Sequence, residues 1–357
     1  MADSGKPEKK MEKVDLGFVD ECDLRLLKSH HFPSKVGGKP AWLSLNPIPR
    51  PEDLSCPKCG SPQLFLLQVY APRDSRDDTF HRIIFVFVCR NPACCVANST
   101  ENFRVFRSQL GRINDFFSSD PPPDDPEADE VGESNRPDAK NFQPLCAVCG
   151  CAGPKVCGRC HRQNYCSKEH QTIHWKAGHK TSCSTTISQT AGTEVDCHVL
   201  FPEAELTIDA EDLSVESTEE SCQLPESSQA DASNASAQYS NEELEQIARQ
   251  ETEDDKQFQK FKKRVAHEPD QVLRYCKGGQ PLWVSAENKA RTEDIPNCSC
   301  GAHREFEFQV MPQLLNYLGV DSTSASLDWG TLCVYTCSES CSIGTTMSQN
   351  LSGSKTF

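Results

Sequence analysis

Runs of hydrophobic residues predict β-strands in two separate parts of the chain. One pair of runs covers residues 64–70 and 83–89, and the other covers 306–310 and 332–337. Each run is rich in β-branched and aromatic residues and has the length of a typical strand. We therefore expect two β-hairpins, one towards each end of the chain.

A short motif precedes each predicted hairpin and indicates an internal repeat. The sequence GGKPAW at 37–42 returns as GGQPLW at 278–283. In each copy a Cys pair follows the motif, then the hairpin, then a second Cys pair. We expect two zinc-ribbon-like β units, which can also pack together as one split domain.

One helix is predicted between the two repeats. Ser240 and Glu243 have the spacing of a capping box, apolar residues follow at helical spacing, and Pro269 lies beyond the end. Together with the hairpins, this helix places the chain in the α+β class, with mostly β structure.

Eight Cys and His residues between 146 and 183 occur as pairs with short gaps. The pairs are Cys146 with Cys149, Cys157 with Cys160, Cys166 with His170, and His179 with Cys183. Zn²⁺ takes four N or S ligands in a tetrahedron, and a short gap lets two ligands of one turn reach the same ion. The segment is too short to bury its own core, so we expect two structural zinc ions to fold it.

The Cys pairs of the two β units predict further zinc sites. The ligands would be Cys56, Cys59, Cys89 and Cys94 in the first unit, with Cys95 able to replace Cys94, and Cys298, Cys300, Cys337 and Cys341 in the second. The single residue between Cys298 and Cys300 is an unusual gap for zinc, and the alternative is that these are buried thiols. The expected number of zinc ions is therefore two to four.

Acidic residues are concentrated in one part of a chain whose net charge is −15. Residues 184–255 contain 19 Asp or Glu and one basic residue, Arg249. This composition predicts that the first two-thirds of the segment form a disordered tether, which either keeps the chain soluble or holds a cationic partner. Because no Lys/Arg-rich face is evident, direct nucleic-acid binding is disfavoured.

The N-terminal sequence MADSGKPEKKMEK lacks the apolar segment of a secretory signal, and no apolar run is long enough to span a membrane. We expect a soluble intracellular protein without a membrane partner. Its Cys residues should then be reduced thiols or metal ligands, and a disulfide framework is disfavoured.

The order of the ligands at 146–183 resembles that of the MYND zinc finger. The resemblance implies two interleaved sites, one formed by Cys146, Cys149, Cys166 and His170, and the other by Cys157, Cys160, His179 and Cys183. His170 stands where most MYND fingers have Cys, and zinc tolerates this change. His161 and His174 fall outside the pattern and are expected to be surface imidazoles.

Together with the finger and the acidic tether, the C-terminal motifs resemble the programmed cell death protein 2 family. They are PNCSCG at 296–301, DWG at 328–330 and CSESC at 337–341. The resemblance implies a chaperone or adaptor that captures a newly made basic small-subunit ribosomal protein and escorts it to the nucleus for 40S assembly. It also implies that the protein is found in both nucleus and cytoplasm.

The end of the chain departs from the family pattern. Residues 345–357 are rich in Ser and Thr, where family members have an aromatic and acidic strand. Without an edge strand, the backbone of the neighbouring strand would be exposed.

The expected organisation has six segments. They are an N-terminal β unit at 14–117, an acidic Pro-rich linker at 118–145, the MYND finger at 146–183, a disordered acidic tether at 184–239, a helix with the C-terminal β unit at 240–344, and the variant tail at 345–357. No Gly-rich phosphate loop, methyltransferase signature or open metal position is evident, so we do not expect an enzyme. The alternatives are a MYND adaptor that recruits transcriptional corepressors and an RNA-binding zinc protein.

Overall fold

A computed structural model describes residues 13–73, 75–122, 136–183, 198–212, 252–287, 289–320 and 327–341, and the backbone of 348–350 and 352–355. Within these ranges the strands are β1 Asp15–Asp20, β2 Lys35–Val36, β3 Leu64–Tyr70, β4 His81–Val88, β5 Phe103–Leu110, β6 Lys155–Val156, β7 Asn164–Tyr165, β8 Ala204–Ala210, β9 Leu273–Tyr275, β10 Arg304–Val310, β11 Thr331–Cys337, β12 Ser348–Asn350 and β13 Ser352–Lys355. The α-helices are α1 Lys168–His174, α2 Lys180–Ser182 and α3 Glu253–Val265, and Trp175–His179 is π-helical.

Most of these strands form one antiparallel sheet that contains both repeats. Its order is β12-β5-β4-β3-β2-β8-β1-β9-β10-β11-β13. The two edge strands, β12 and β13, are consecutive along the chain, so the sheet curves back on itself as a near-barrel. The predicted α+β, mostly β class is confirmed.

Both predicted hairpins are present, as β3–β4 and β10–β11. All residues of β4 and nearly all of β3 are buried, which explains why their sequences are continuously apolar rather than alternating. Strand β5, which the sequence did not predict, pairs with β4 along its full length.

The internal repeat is visible in side-chain contacts as well as in sequence. The amide of Gln68 accepts from the backbone N–H of Ala41 at 2.9 Å and donates to its carbonyl at 3.3 Å. Gln309 holds Leu282 in the same way, at 2.6 and 3.1 Å. Each hairpin also has a register shift two residues before its Gln. The two units are therefore copies of one structural design.

The interior of the near-barrel is shared by the two repeats. Leu66 and Val86 from the first copy lie in one core with Phe308 and Trp329 from the second copy, and all four are at most 1% exposed. This shared core places both repeats in one packed body.

The prediction of a disordered acidic tether over 184–239 is wrong for part of that range. Strand β8 lies within that range and pairs with both β1 and β2, in the middle of the sheet. Leu206 of β8 is 2% exposed and belongs to the shared core. The acidic composition of the segment masks the short alternation of apolar and polar residues in β8. Residues 184–197 and 213–251 lie outside the described ranges.

Two further predictions concern the C-terminal half. The capping box at Ser240 and Glu243 lies outside the described residues, whereas helix α3 has its own capping box, formed by Thr252 and Asp255. The variant tail does supply a strand at this edge of the sheet, because β13 pairs with β11. In the described part of the chain, every helix is too short or too polar to cross a lipid bilayer.

Candidate metal centres

The sixteen predicted ligands come together in four groups of four. In each group the ligand atoms lie within 4.8 Å of one another. The groups are Cys56, Cys59, Cys89 and Cys94; Cys146, Cys149, Cys166 and His170; Cys157, Cys160, His179 and Cys183; and Cys298, Cys300, Cys337 and Cys341. We name these the N-ribbon, finger-1, finger-2 and C-ribbon clusters. All four fit zinc binding, and the finger pairs interleave as the MYND resemblance implies.

Distances within the finger clusters suit a tetrahedral ion. In finger-1, the sulfurs of Cys149 and Cys166 lie 3.8 Å apart, and Nδ1 of His170 lies 3.2 Å from the Cys166 sulfur. In finger-2, the sulfurs of Cys157 and Cys183 lie 3.9 Å apart. Four sulfurs bound to zinc at about 2.3 Å would be separated by about 3.8 Å. The thiols are free rather than bonded as disulfides.

The ribbon clusters lie at equivalent ends of the two hairpins. Cys89 follows β4 and Cys337 ends β11, and the other Cys pair of each cluster precedes the hairpin. Sulfur separations are 3.6 Å between Cys59 and Cys89, and 3.5 Å between Cys298 and Cys341. The unusual gap in the C-ribbon cluster therefore still brings four sulfurs together. Cys95 lies outside the N-ribbon cluster, with its thiol 2.9 Å from the carbonyl of Asp328.

A left-handed residue closes each metal-binding turn. Gly60, Gly150 and Gly301 have φ of 74°, 68° and 91°, and each donates its N–H back to the first Cys of the turn. Glycine adopts this conformation without steric cost. In finger-2 the same place is taken by His161, at φ 53°. The side chain of His161 is exposed, so its role in the structure is that of a turn residue.

Local contacts position the two histidine ligands. Ser167 caps α1 by accepting the N–H of His170 at 3.1 Å, which fixes the first turn of the helix. His179 presents Nε2 to the sulfur of Cys157 at 3.4 Å. The hydroxyl of Ser182 lies 3.5 Å from the other ring nitrogen of His179 and helps to orient the ring.

The prediction that His174 is a surface imidazole is wrong. It is 7% exposed, its Nδ1 lies 2.9 Å from the hydroxyl of Tyr165, and its ring stacks on that of His179 with centroids 5.0 Å apart. Burial lowers the pKa of His174, and nearby His179 lowers it further. His174 therefore packs against the metal ligand His179 and helps to hold its ring in place. The spacing of the ligands along the sequence does not reveal this role.

One thiol in each of the four clusters has a pKa below the ordinary value of Cys. In finger-1, hydrogen bonds from neighbouring thiols lower the pKa of Cys146. The backbone N–H of Cys160 lowers the pKa of Cys157 to about 6. Burial raises the pKa of Cys59, but hydrogen bonds from Ser61 and neighbouring thiols outweigh burial and lower the pKa to about 6. In the C-ribbon cluster the same balance lowers the pKa of Cys298 to about 6. Thiolate is the form of Cys that binds metal, so these environments favour ligation.

Family models match three segments of the chain. They are the programmed cell death protein 2 N-terminal domain at 13–124, the MYND finger at 146–183 and the programmed cell death protein 2 C-terminal putative domain at 255–355. The bovine protein named programmed cell death protein 2 is 49% identical over 331 residues, which cover 93% of each chain. This chain belongs to the programmed cell death protein 2 family.

Two further curated proteins are also similar to the chain. The rat protein of the same name is 47% identical over 93% of each chain. A fission yeast protein named probable 20S rRNA accumulation protein 4 is 33% identical over 98 residues, which are 24% of each chain. No solved structure shows significant similarity to the chain.

In this family member the MYND finger packs directly on the N-terminal repeat. The indole N–H of Trp42 donates to the carbonyl of Gly150 at 2.9 Å, and Trp42 is 1% exposed. Phe85 and Phe87 of β4 share one apolar cluster with finger residues such as Val148. The finger is therefore part of the folded body and cannot be removed without exposing this cluster.

Proposed function

We propose that this protein is a non-enzymatic chaperone that binds a newly made, basic small-subunit ribosomal protein and supports its nuclear delivery and 40S assembly. This role requires the protein in both cytoplasm and nucleus. Each of the four clusters supplies four protein ligands, so bound zinc would be structural and would have no open position for catalysis. The name of the fission yeast relative, which refers to accumulation of 20S rRNA, supports a role in ribosome production.

An acidic surface on the central ladder is the observation that carries the proposal. Asp20 of β1 lies directly opposite Glu205 of β8, and Asp209 lies on the same face of the ladder. Like charges directly opposite each other destabilise a sheet. We call Asp20, Glu205 and Asp209 the acidic seam. Lys35 of β2 lies opposite Glu205 on its other side and is already paired with Glu203. A cationic client segment on this face would therefore further reduce the repulsion between Asp20 and Glu205.

The neighbouring Cys22 is sensitive to this negative field. Burial raises its pKa, and the charge of Glu205 raises it further, together with Asp23 and Glu203. The hydroxyl of Thr207 donates to Asp20 at 2.5 Å and helps to hold that carboxylate in place on the seam. Complementary charge of this kind speeds encounter with a basic partner and selects against acidic ones.

The test is retention of ribosomal proteins on the immobilised full-length chain. Proteins extracted from small ribosomal subunits are passed over the wild type and over a variant with Asp20→Asn, Glu205→Gln and Asp209→Asn, and bound proteins are identified by mass spectrometry. The matched control neutralises three exposed carboxylates outside the seam, Glu52→Gln, Glu268→Gln and Glu293→Gln.

We expect the wild type and the control to retain the same basic protein, and the seam variant to lose most of it. Retention that is equal in all three chains would refute the assignment of the seam. Absence of any ribosomal protein from the wild-type eluate would refute the proposed function itself.

One observation favours the second candidate, a MYND adaptor that recruits corepressors. A cavity of about 180 Å³ lies beside finger-1 and is lined by Leu54, Pro62, Pro154 and other residues. A pocket of this size with Leu and Pro side chains in its wall suits a proline side chain of an extended peptide. For this function, Pro154→Asp should abolish capture of corepressor subunits and leave capture of ribosomal proteins unchanged. If Pro154→Asp instead reduced only the capture of ribosomal proteins, the corepressor function would be contradicted.

A further inference from the structure

Helix α3 presents lysine side chains to solvent along one side. Lys256, Lys260 and Lys263 have the spacing i, i+4 and i+7, and all three are exposed. This spacing places them on one face of the helix, with about 10 Å of helix axis between the first and the last. Lys262 is exposed beside them. We call these four lysines the basic face. The helix contains no carboxylate between residues 256 and 264.

The basic face keeps its positive charge in the folded chain. Within the described ranges, none of its four lysines forms an ion pair with a carboxylate. Of the acids that precede it, Asp254 accepts a backbone N–H at 2.6 Å and Asp255 caps the N-terminus of the helix. Glu253 is exposed at the first helical position, and one carboxylate does not balance four lysines. Arg264 pairs with Glu211 at 2.7 Å and is therefore not counted in the face.

The opposite side of α3 anchors the basic face on the folded body. Phe261 and Val265 are buried and pack in an apolar cluster with Met311. The amide of Gln257 donates to a backbone carbonyl of the second repeat at 2.7 Å. Because Phe261 lies within the sequence KFKKR at 260–264, this segment cannot become extended without exposing a core side chain. A partner therefore contacts the lysines as the exposed side of a helix.

An exposed aromatic ring adjoins the basic face. Phe258 is 43% exposed, and the ammonium of Lys262 lies 5.7 Å from the centre of its ring. Proteins that bind single-stranded nucleic acid combine positive charge along the backbone of the strand with aromatic side chains on which bases stack. Helix α3 has both features on its solvent side.

We propose that the basic face and Phe258 bind a single-stranded nucleic acid. Phosphates contact Lys256, Lys260 and Lys263 along the helix, and a base stacks on the ring of Phe258 beside Lys262. Lysine binds phosphate as a point charge. An acidic peptide fits less well, because the exposed side of a helix is convex and offers no groove for peptide side chains. The sequence alone disfavours nucleic-acid binding because no Lys/Arg-rich face is evident in it, and folding of α3 creates such a face. The proposed chaperone function does not require this site.

Fluorescence anisotropy on the zinc-loaded full-length chain tests the proposal. The labelled probes are oligouridine, oligodeoxythymidine and an abasic ribose-phosphate strand, each of about 10 nucleotides. The charge variant removes three lysines of the basic face, Lys256→Gln, Lys260→Gln and Lys263→Gln. The matched control removes three exposed lysines elsewhere, Lys28→Gln, Lys168→Gln and Lys176→Gln. A separate variant, Phe258→Ala, removes the ring.

We expect oligouridine to bind the wild type and the control equally, and to bind the charge variant about tenfold or more weakly at low salt. Each lost phosphate contact should reduce the slope of log affinity against log salt by about 0.7, so the charge variant should reduce it by about 2. Phe258→Ala should weaken binding of oligouridine about fivefold or more and leave binding of the abasic strand unchanged, because stacking requires a base. Tighter binding of oligouridine than of oligodeoxythymidine would assign the site to RNA, and equal binding to single strands of either kind.

Two results would overturn the proposal. Neither oligouridine nor oligodeoxythymidine binds the wild type, or the charge variant and its control bind with the same affinity and the same dependence on salt. Equal effects of Phe258→Ala on oligouridine and on the abasic strand would overturn the role of the ring.

Discussion

Glu307 and Arg82 form a buried ion pair that joins the two repeats of the near-barrel. Two parallel hydrogen bonds of 2.7 and 2.8 Å connect them, and both side chains are 0% exposed. Tyr275 also donates to Glu307, at 2.7 Å. In the first repeat the equivalent position is the apolar Leu66. The second repeat has thus replaced a core leucine by an acid that binds the first repeat.

Removal of one partner of this pair should destabilise the protein strongly. Glu307→Gln leaves the guanidinium of Arg82 buried without its counter-charge, and we expect a loss of about 3–5 kcal/mol in the free energy of unfolding. Arg82→Met with Glu307→Leu removes both charges and restores the pattern of the first repeat. We expect this double variant to regain most of the lost stability.

Urea denaturation provides the measurement. The matched control is Asp53→Asn, which breaks the exposed pair between Arg50 and Asp53, whose side chains are 74% and 40% exposed. That change should cost about 1 kcal/mol or less. Equal costs for Glu307→Gln and the control would show that the buried pair does not hold the repeats together.

The same pair predicts a dependence of stability on pH. Burial raises the pKa of Glu307, but the charges of Arg82 and Lys277 outweigh burial and hold the pKa well below its ordinary value. Since the folded-state pKa is depressed, the pair stabilises the protein fully above the unfolded-state pKa of about 4.3, and this contribution falls as the pH drops below it.

The measurement compares the wild type with the variant that lacks both charges. Between about pH 6 and pH 3 the wild type should lose more stability than Arg82→Met with Glu307→Leu. Acid also releases zinc from both chains, so the difference between them isolates the pair. Parallel pH profiles would contradict the assignment.

The C-ribbon cluster predicts a metal-dependent contact between the repeats. The first repeat binds the backbone of the last Cys turn: Arg107 donates to the carbonyl of Cys341 at 2.7 Å, and Gln109 donates to that of Ser340 at 3.1 Å. We expect four zinc ions per chain, and three after Cys298→Ser with Cys341→Ser. Loss of this ion should also increase amide hydrogen exchange in β11.

Zinc content is measured by mass spectrometry of the metal, and exchange by mass spectrometry of peptides. The control is Cys276→Ser, which changes a buried Cys outside the four clusters and should leave the zinc content unchanged. A wild-type content of two, with no change in the Cys298 and Cys341 variant, would show that the ribbon clusters are buried thiols.

Two tryptophans at equivalent positions of the repeats allow a test of how the finger is held on the N-terminal repeat. Trp42 is fully buried against Gly150, whereas its equivalent in the second repeat, Trp283, is half-buried and is not covered by a finger. Trp42→Ala should cost about 3–5 kcal/mol, and Trp283→Ala clearly less. Thermal unfolding of the two zinc-loaded variants measures the difference. Equal losses would indicate that the finger does not depend on this contact.

The sequence predicted those parts of the structure that have a local signature. Ligand spacing predicted the metal clusters, and apolar runs predicted β3, β4, β10 and β11. Strand β8 was hidden because its stability comes from pairing with β1 and β2, which are distant in sequence. The composition of a whole segment does not reveal seven residues that pair with strands distant in the sequence.

Long-range side-chain relationships were likewise beyond the sequence. Nothing near Arg82 or Glu307 marks them as partners, because they are brought together by closure of the near-barrel. His174 was misassigned because its role depends on Tyr165 and His179 rather than on ligand spacing.

The most direct test of the central claim is capture of the client during its synthesis. Cells that express the tagged full-length chain are pulse-labelled, and newly made proteins that bind it are identified by mass spectrometry, with the neutralised acidic seam as the comparison. We predict strong enrichment of one labelled, basic small-subunit ribosomal protein, with much less on the seam variant. A labelled fraction without any ribosomal protein, or with the whole set of assembled subunit proteins, would contradict the account.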